Sequence, residues 1–195
     1  MKTAFKYASN WQLLVVSAVM SCLVSSSAAV YFLPLAIAWG AKKKLSSVTE
    51  VTTEGKAPLN QISHTHRLAT SDDRVIVRPN NDTFYSSAWL DLSSEPVVVS
   101  VPVMAERYYS MQFMDDWTNV FAYIGKRATG NDAGTFLVIG PHWHGATPSG
   151  MQTIKAPSNT VWVIGRTMVY GQDDVAAVSA LQAQITVTSW RPNRN

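Results

Sequence analysis

The sequence predicts a mostly β domain, an antiparallel β-sandwich or jelly roll with one C-terminal helix, preceded by an N-terminal apolar helix. Two observations carry most of this. From residue 74 to about residue 169, short runs rich in β-branched and aromatic residues alternate with turn signals. No glycine-rich phosphate loop interrupts them, and no strand–helix alternation of the kind that builds a parallel α/β sheet. A third concerns size: 195 residues at 47% apolar composition suffice for one ordinary core plus an N-terminal appendage. The net charge of +3, from 16 basic and 13 acidic residues, is too mild to point to nucleic acid, and no basic patch interleaves with aromatics. The single cysteine, Cys22, rules out an intrachain disulfide, so packing alone holds the fold.

Residues 1–40 open with MKTAFKYASN, carrying Lys2 and Lys6, and continue as WQLLVVSAVMSCLVSSSAAVYFLPLAIAWG. A basic start, an apolar run and the small residues Ser25 to Ala29 read as an export signal with a cleavage point near Ala28. Apolar character resumes at Val30 and reaches Trp39, so the segment is also long enough for an uncleaved anchor, which Pro34 would end or kink. Lys2 and Lys6 on one side and Lys42, Lys43 and Lys44 on the other leave orientation open. A third reading attaches lipid to Cys22, but Met20 fits poorly before Ser21, and the residues after Cys22 are apolar rather than polar. Each reading places the chain at the cell envelope, on its periplasmic or exported side, by signal peptide or membrane anchor.

Residues 41–73 read as a polar linker broken by Gly55 and Pro58, with a short helix near Leu59 to Leu68. The β domain is expected over residues 74–190. Its strands are RVIV, TFYSSAWLDL, VVVSV, RYYSMQFMD, WTNVFAYIG, TFLVIG and VWVIGRTMV, with turns at PNND and SSEP. In DDVAAVSALQAQI, Val175, Val178, Leu181 and Ile185 recur at helical spacing behind Asp173 or Asp174 as a cap.

Strand geometry sends alternate residues to opposite faces. Phe84, Ala88, Leu90 and Leu92 therefore share an apolar face, and Tyr85, Ser87, Trp89 and Asp91 share the other. In RYYSMQFMD the apolar parity runs Tyr109, Met111, Phe113 and then Asp115; Asp82 has the matching parity before Phe84. Two acids thus stand at the ends of core-facing rows. There a carboxylate either bonds the backbone of its own turn or lines a pocket in which burial raises its pKa for proton transfer.

The order VRPNNDTFYSSAWLDLSSEPVVVSVP, RYYSMQFMDDWTNVFAYIGKRATG, FLVIGP and VWVIGRT resembles the bacterial domain-of-unknown-function family 1254, over roughly Pro58 to Thr188. The resemblance implies an exported or envelope-associated protein of mostly β architecture, commonly followed by a second β-rich domain of family 1214. That companion has no counterpart after SALQAQITVTSW, so it is expected on a separate chain, or the chain is a shortened member. The resemblance supplies no activity, cofactor or catalytic residue. It marks Asn80, Asn81, Asp82, Asp91, Arg107, Asp115, Asn119 and Arg166 as positions of the family's pattern.

His64 with His66 and His142 with His144 form two His-x-His pairs, and in extended chain each pair sends both rings to one side, as zinc and copper sites need. The first pair lies in the linker and the second in a GPHWHG turn, so no metal is assigned. Ser110 has no placed base, no serine sits in a G-x-S-x-G elbow, and Cys22 lies in the export segment, which argues against nucleophilic catalysis. Most aromatics are expected as core or cross-strand pairs; Tyr85, Trp89 and Trp117 could instead form a platform for a flat or sugar-like ligand. Two functions remain. One is a non-catalytic envelope module that binds a ligand or pairs with a second β-rich domain, using Asn80, Asn81, Asp82, Tyr85, Asp91, Arg107, Asp115, Asn119 and Arg166, with no cofactor. The other is an enzyme whose site is shared with that partner, Asp82 or Asp115 serving as acid or base and Arg107 or Arg166 holding an anion.

Overall fold

A computed structural model describes residues 2–70, 73 and 80–191. The chain divides into two units, residues 1–40 and 41–195. A 45-residue helix, α1 (Lys2–Ser46), makes up the first unit and runs six residues into the second. Its Asn10–Ser46 portion is long and apolar enough to cross a membrane, with no part of its most apolar stretch buried. Leu14, Val19, Leu23, Phe32 and Ile37 are all exposed, so the helix is apolar all round rather than along one stripe.

The second unit is a two-layered β-sandwich, as the alternation predicts. Its strands are β1 (Ile62–His64), β2 (Thr83–Asp91), β3 (Val97–Val101), β4 (Tyr109–Met114), β5 (Val120–Gly125), β6 (Gly134–Ile139), β7 (Gln152–Lys155), β8 (Thr160–Met168) and β9 (Thr186–Ser189). A five-stranded sheet runs β1-β2-β8-β4-β5 and a four-stranded sheet runs β7-β6-β3-β9. All pairings are antiparallel except β6 with β7. One turn of 3-10 helix (Gln172–Asp174) leads into α2 (Val175–Gln182).

The expected parity holds. Phe84, Ala88, Leu90 and Leu92 are buried, as are Tyr109, Met111 and Phe113, and all of these but Phe84 pack in one cluster with Val97, Val99, Val138, Val161 and Val163 between the sheets. A smaller cluster of Phe84, Val169 and Val178 seats α2 against one end of the sandwich. Each of the larger of these side chains contributes roughly 1.5–3 kcal/mol by leaving water, which is why the domain needs no covalent staple.

Three strands were not expected from sequence. β1 occupies the place where a short helix near Leu59 to Leu68 was predicted, and the described residues there contain no helix. Asn60 adopts φ 60°, which breaks helical continuation. Its amide then bonds the β2 backbone in both directions, donating to Asp91 O at 3.2 Å and accepting from Asp91 N at 2.8 Å. β7 and β9 are four residues each, too short to show alternation. The predicted RVIV strand, Arg78 and Pro79 of the PNND turn lie outside the described residues.

Candidate functional site

The outer face of the five-stranded sheet is unusual in its chemistry. Its register places Tyr85, Arg166, Ser110 and Gly125 in one row across β2, β8, β4 and β5. The next row is Ser63, Ser87, Ile164, Gln112 and Tyr123, and the third is Trp89, Trp162, Met114 and Val120. An outer face open to water ordinarily alternates polar and charged residues. Here Arg166 is the one charge in three rows, and Val120 and Tyr123 are 40% and 51% exposed.

The aromatic groups of this face are ordered by one another. Trp89 and Trp162 stack with centroids 5.1 Å apart and planes within 4°. Trp162 Nε1 donates to Ser87 Oγ at 3.2 Å. Arg166 lies over the Tyr85 ring at 5.6 Å, a cation–π contact across the β2–β8 pair. The indole N–H of Trp89 and the hydroxyl of Ser63 are buried and find no partner among the described residues. The platform expected from Tyr85, Trp89 and Trp117 does not form: Trp89 is only 4% exposed and spends a face on Trp162, and Trp117 belongs to the turn after β4.

The polar positions predicted from sequence are dispersed. β2 and β4 run in the same direction, since both pair antiparallel with β8, so Asp82 before β2 and Asp115 after β4 stand at opposite ends of the sheet. At about 3.3 Å per residue that is some 25 Å. At the first end Asn80 holds the turn, its Oδ1 accepting from Asp82 N at 2.9 Å and its Nδ2 donating to Thr83 Oγ1, while Asn81 and Asp82 are exposed. The turn thus uses Asn80 where Asp82 was expected. At the far end Asp115 accepts from the backbone N–H groups of Trp117 and Asn119 at 2.8 and 2.9 Å and from the Asn119 side chain at 3.2 Å. Asp91 accepts from Ser93 N and Oγ at 3.0 and 2.6 Å, and the hydroxyl bond holds its carboxyl below the usual range.

Arg107 forms a bidentate ion pair that is largely shielded from solvent. It grips Asp174 bidentately at 2.5 and 2.8 Å, donates to Met168 O at 2.7 Å and stacks over Tyr170 at 5.1 Å. The Asp174 carboxylate was expected to cap α2, but it makes no cap bond there and takes Arg107 and Tyr170 N instead. This ties the β3–β4 connection to the entry of α2.

A second polar cluster was not anticipated. His64 Nδ1 lies 2.8 Å from Ser86 Oγ, and Gln182 Nε2 donates to the same hydroxyl at 3.1 Å and to Tyr85 O at 3.2 Å. The serine hydroxyl, with one proton and two lone pairs, can accept from Gln182 and donate to Nδ1 of a neutral imidazole. Burial pushes His64 down to about 4, helped by the neighbouring His66 and opposed by a backbone hydrogen bond to Ile185. His66 Nδ1 lies 3.1 Å from Ser179 Oγ. Sequence held a signal for this: Ser86 is the polar residue in the Phe84–Ala88–Leu90 row, and Gln182 follows Val178 by one turn of α2. The depressed value gives a pH dependence. Between about pH 6.5 and 4 the unfolded chain binds the proton that folded His64 refuses, so stability falls as pH drops through that window. Allowing for partial exposure, the loss is about 2 kcal/mol, and urea midpoints at pH 7 and 4.5 should show His64→Gln losing less than the parent.

His142 and His144 are exposed, and no group of three or more metal-ligating side chains occurs among the described residues.

Comparison with known proteins fits this architecture. The profile of the family described as Protein of unknown function (DUF1254) matches residues 59–189. The chain therefore belongs to that family. Among solved structures it is similar to the VPA0106 protein from Vibrio parahaemolyticus, with 27% identity and a TM-score of 0.67 over 83% of this chain, but it spans only 36% of that protein. An uncharacterised protein from Burkholderia cenocepacia gives 12% identity and a TM-score of 0.44, over 68% of this chain and 34% of the other. No curated protein matches.

Proposed function

We propose that the chain is a non-catalytic module of the cell envelope, held at a membrane by α1, whose β domain pairs with a second β-rich domain of the family 1214 type. The docking surface is the outer face of the five-stranded sheet. The observation that carries this reading is the composition of that face: three rows with one charge, Arg166, and with Ile164, Trp162, Tyr123 and Val120 among their members. A sheet face of this kind is what a domain buries against a neighbour, and an aromatic cluster beside one arginine is the composition of interface hot spots. A domain of this kind in the Vibrio relative is part of a chain nearly three times its length, which supports a neighbour as occupant.

Of the nine sequence-predicted positions, Tyr85 and Arg166 serve this surface. Asn80, Asp91, Arg107, Asp115 and Asn119 hold turns and connections. The separation of Asp82 from Asp115, and the commitment of Arg107 to Asp174, speak against an acid–base pair sharing one cavity. No small-molecule ligand or cofactor is needed for the role.

The test is affinity. The full-length protein in detergent, titrated with a separately produced family 1214 domain from the same organism, should bind it, and Ile164→Glu should weaken binding by about a hundredfold, since a desolvated unpaired carboxylate at an interface centre costs some 3 kcal/mol. Unaltered affinity in that variant, with the fold retained, removes this face as the site.

A further inference from the structure

Sheet edges leave backbone N–H and C=O groups without ladder partners, and natural proteins blunt them by shortness, charge or proline. Among the described residues the sheets end in four edge strands, β1, β5, β7 and β9. β1 is three residues long, β7 is four and carries Lys155, and β9 is a four-residue TVTS run. β5 is six residues, VFAYIG, with neither charge nor proline, and exposes Val120 and Tyr123. Its one irregularity, a bulge at Phe121 opposite Phe113 and Met114, leaves Ala122–Gly125 in regular register.

The flanks of β5 carry opposite charge. Asp115 and Asp116 precede it, and Lys126 and Arg127 follow it. We propose that β5 is a self-association edge, at which two copies pair β5 to β5 antiparallel, joining their five-stranded sheets and setting Asp116 of each beside Arg127 of the other. The charges dictate the direction, because a parallel arrangement sets acid against acid and base against base. The antiparallel one is isologous and closes on itself. Asp115 is spent on its own turn and Lys126 donates to Glu106 Oε2 at 3.3 Å. Asp116 and Arg127 are the pair left to act between copies, Arg127 otherwise lying, among the described residues, over the Tyr108 ring at 6.0 Å. Tyr123, near the two-fold axis, meets the partner strand as an aromatic cross-strand contact. This surface is an edge, distinct from the face assigned to the companion domain, and tethering copies to one membrane raises their effective concentration.

The full-length protein in detergent should show a concentration-dependent monomer–dimer equilibrium by sedimentation. Asp116→Arg and Arg127→Asp, each alone, should weaken it by about tenfold or more, and the two together should restore it. Tyr123→Pro, which strips one donor from the edge, should leave monomer. A wild-type protein that stays monomeric, or a dimer indifferent to the charge reversals and so held elsewhere, overturns the assignment. Should Tyr123→Pro fail to fold by circular dichroism, the charge-reversal pair decides alone.

Discussion

Replacing Gly125 by alanine should lower the stability of the β domain by roughly 3 kcal/mol or more, combining backbone strain with a steric clash. Gly125 ends β5 at φ 149°, in backbone space that side-chain-bearing residues rarely enter. A Cβ there would stand 2.5 Å from Tyr109 O and 2.8 Å from Ser110 Cα, both backbone atoms of the adjacent strand. Neither neighbour can yield, because Tyr109 is core and Ser110 sits in the β4–β8 and β4–β5 ladders. The glycine cannot yield either: its N–H donates to Thr129 Oγ1 at 3.1 Å and its carbonyl accepts from Ala128 N and Thr129 N, each at 2.9 Å. Gly130 is the matched control, at φ 85° with nothing within 4 Å of an added Cβ. Gly130→Ala should cost only about 1 kcal/mol of backbone strain. Urea midpoints of the two variants separate steric approach from positive φ, and equal losses would mean that the close approach to Tyr109 is not real.

Asp174→Asn should cost about 2 kcal/mol, between the small worth of an exposed pair and the 3–5 kcal/mol of breaking a fully buried one. The side chains of Arg107 and Asp174 retain 14% and 16% exposure, so solvent screens the pair at its rim. Asparagine keeps the shape but leaves the guanidinium without its countercharge, and it weakens the bond from Tyr170 N. Arg107 holds the Asp174 carboxyl below the usual range. The pair's stabilisation is therefore complete above the ordinary carboxylate pKa, near 4, and is lost as pH falls through the lower folded value. Arg107→Met with Asp174→Leu should cost less than the sum of the single changes, and a strictly additive result would show that the pair contributes nothing as a pair. His64 gives up its share in a higher window, so stability should fall in two parts as the pH is lowered.

Much of this fold is legible in sequence because alternation survives wherever strands are long. β2, β4 and β8 span six to nine residues and read correctly as strands, β2 and β4 down to the apolar face. β1, β7 and β9 span three or four, and their pairing is decided by tertiary neighbours that no local pattern announces. The polar motif was legible as a pattern but not in its use. Nothing local tells Arg107 that its partner is Asp174, 67 residues on. Asn80 displaces Asp82 as turn holder because two competent side chains stand two residues apart, and geometry chooses between them. Ser86 and Gln182 could have been found, since each breaks an apolar row, and a polar residue in a buried row needs a partner. The outer face emerges only once the strand order is known, because its rows draw on strands far apart in sequence.

Hydroxyl-radical footprinting of the full-length protein, alone and with the family 1214 domain, tests the central claim most directly. Docking on the outer face predicts that labelling of Ile164 and Trp162 falls several-fold on adding the partner while exposed Tyr170, at the opposite margin, is unchanged. Unchanged labelling of Ile164 and Trp162 under conditions where the two proteins bind would contradict it.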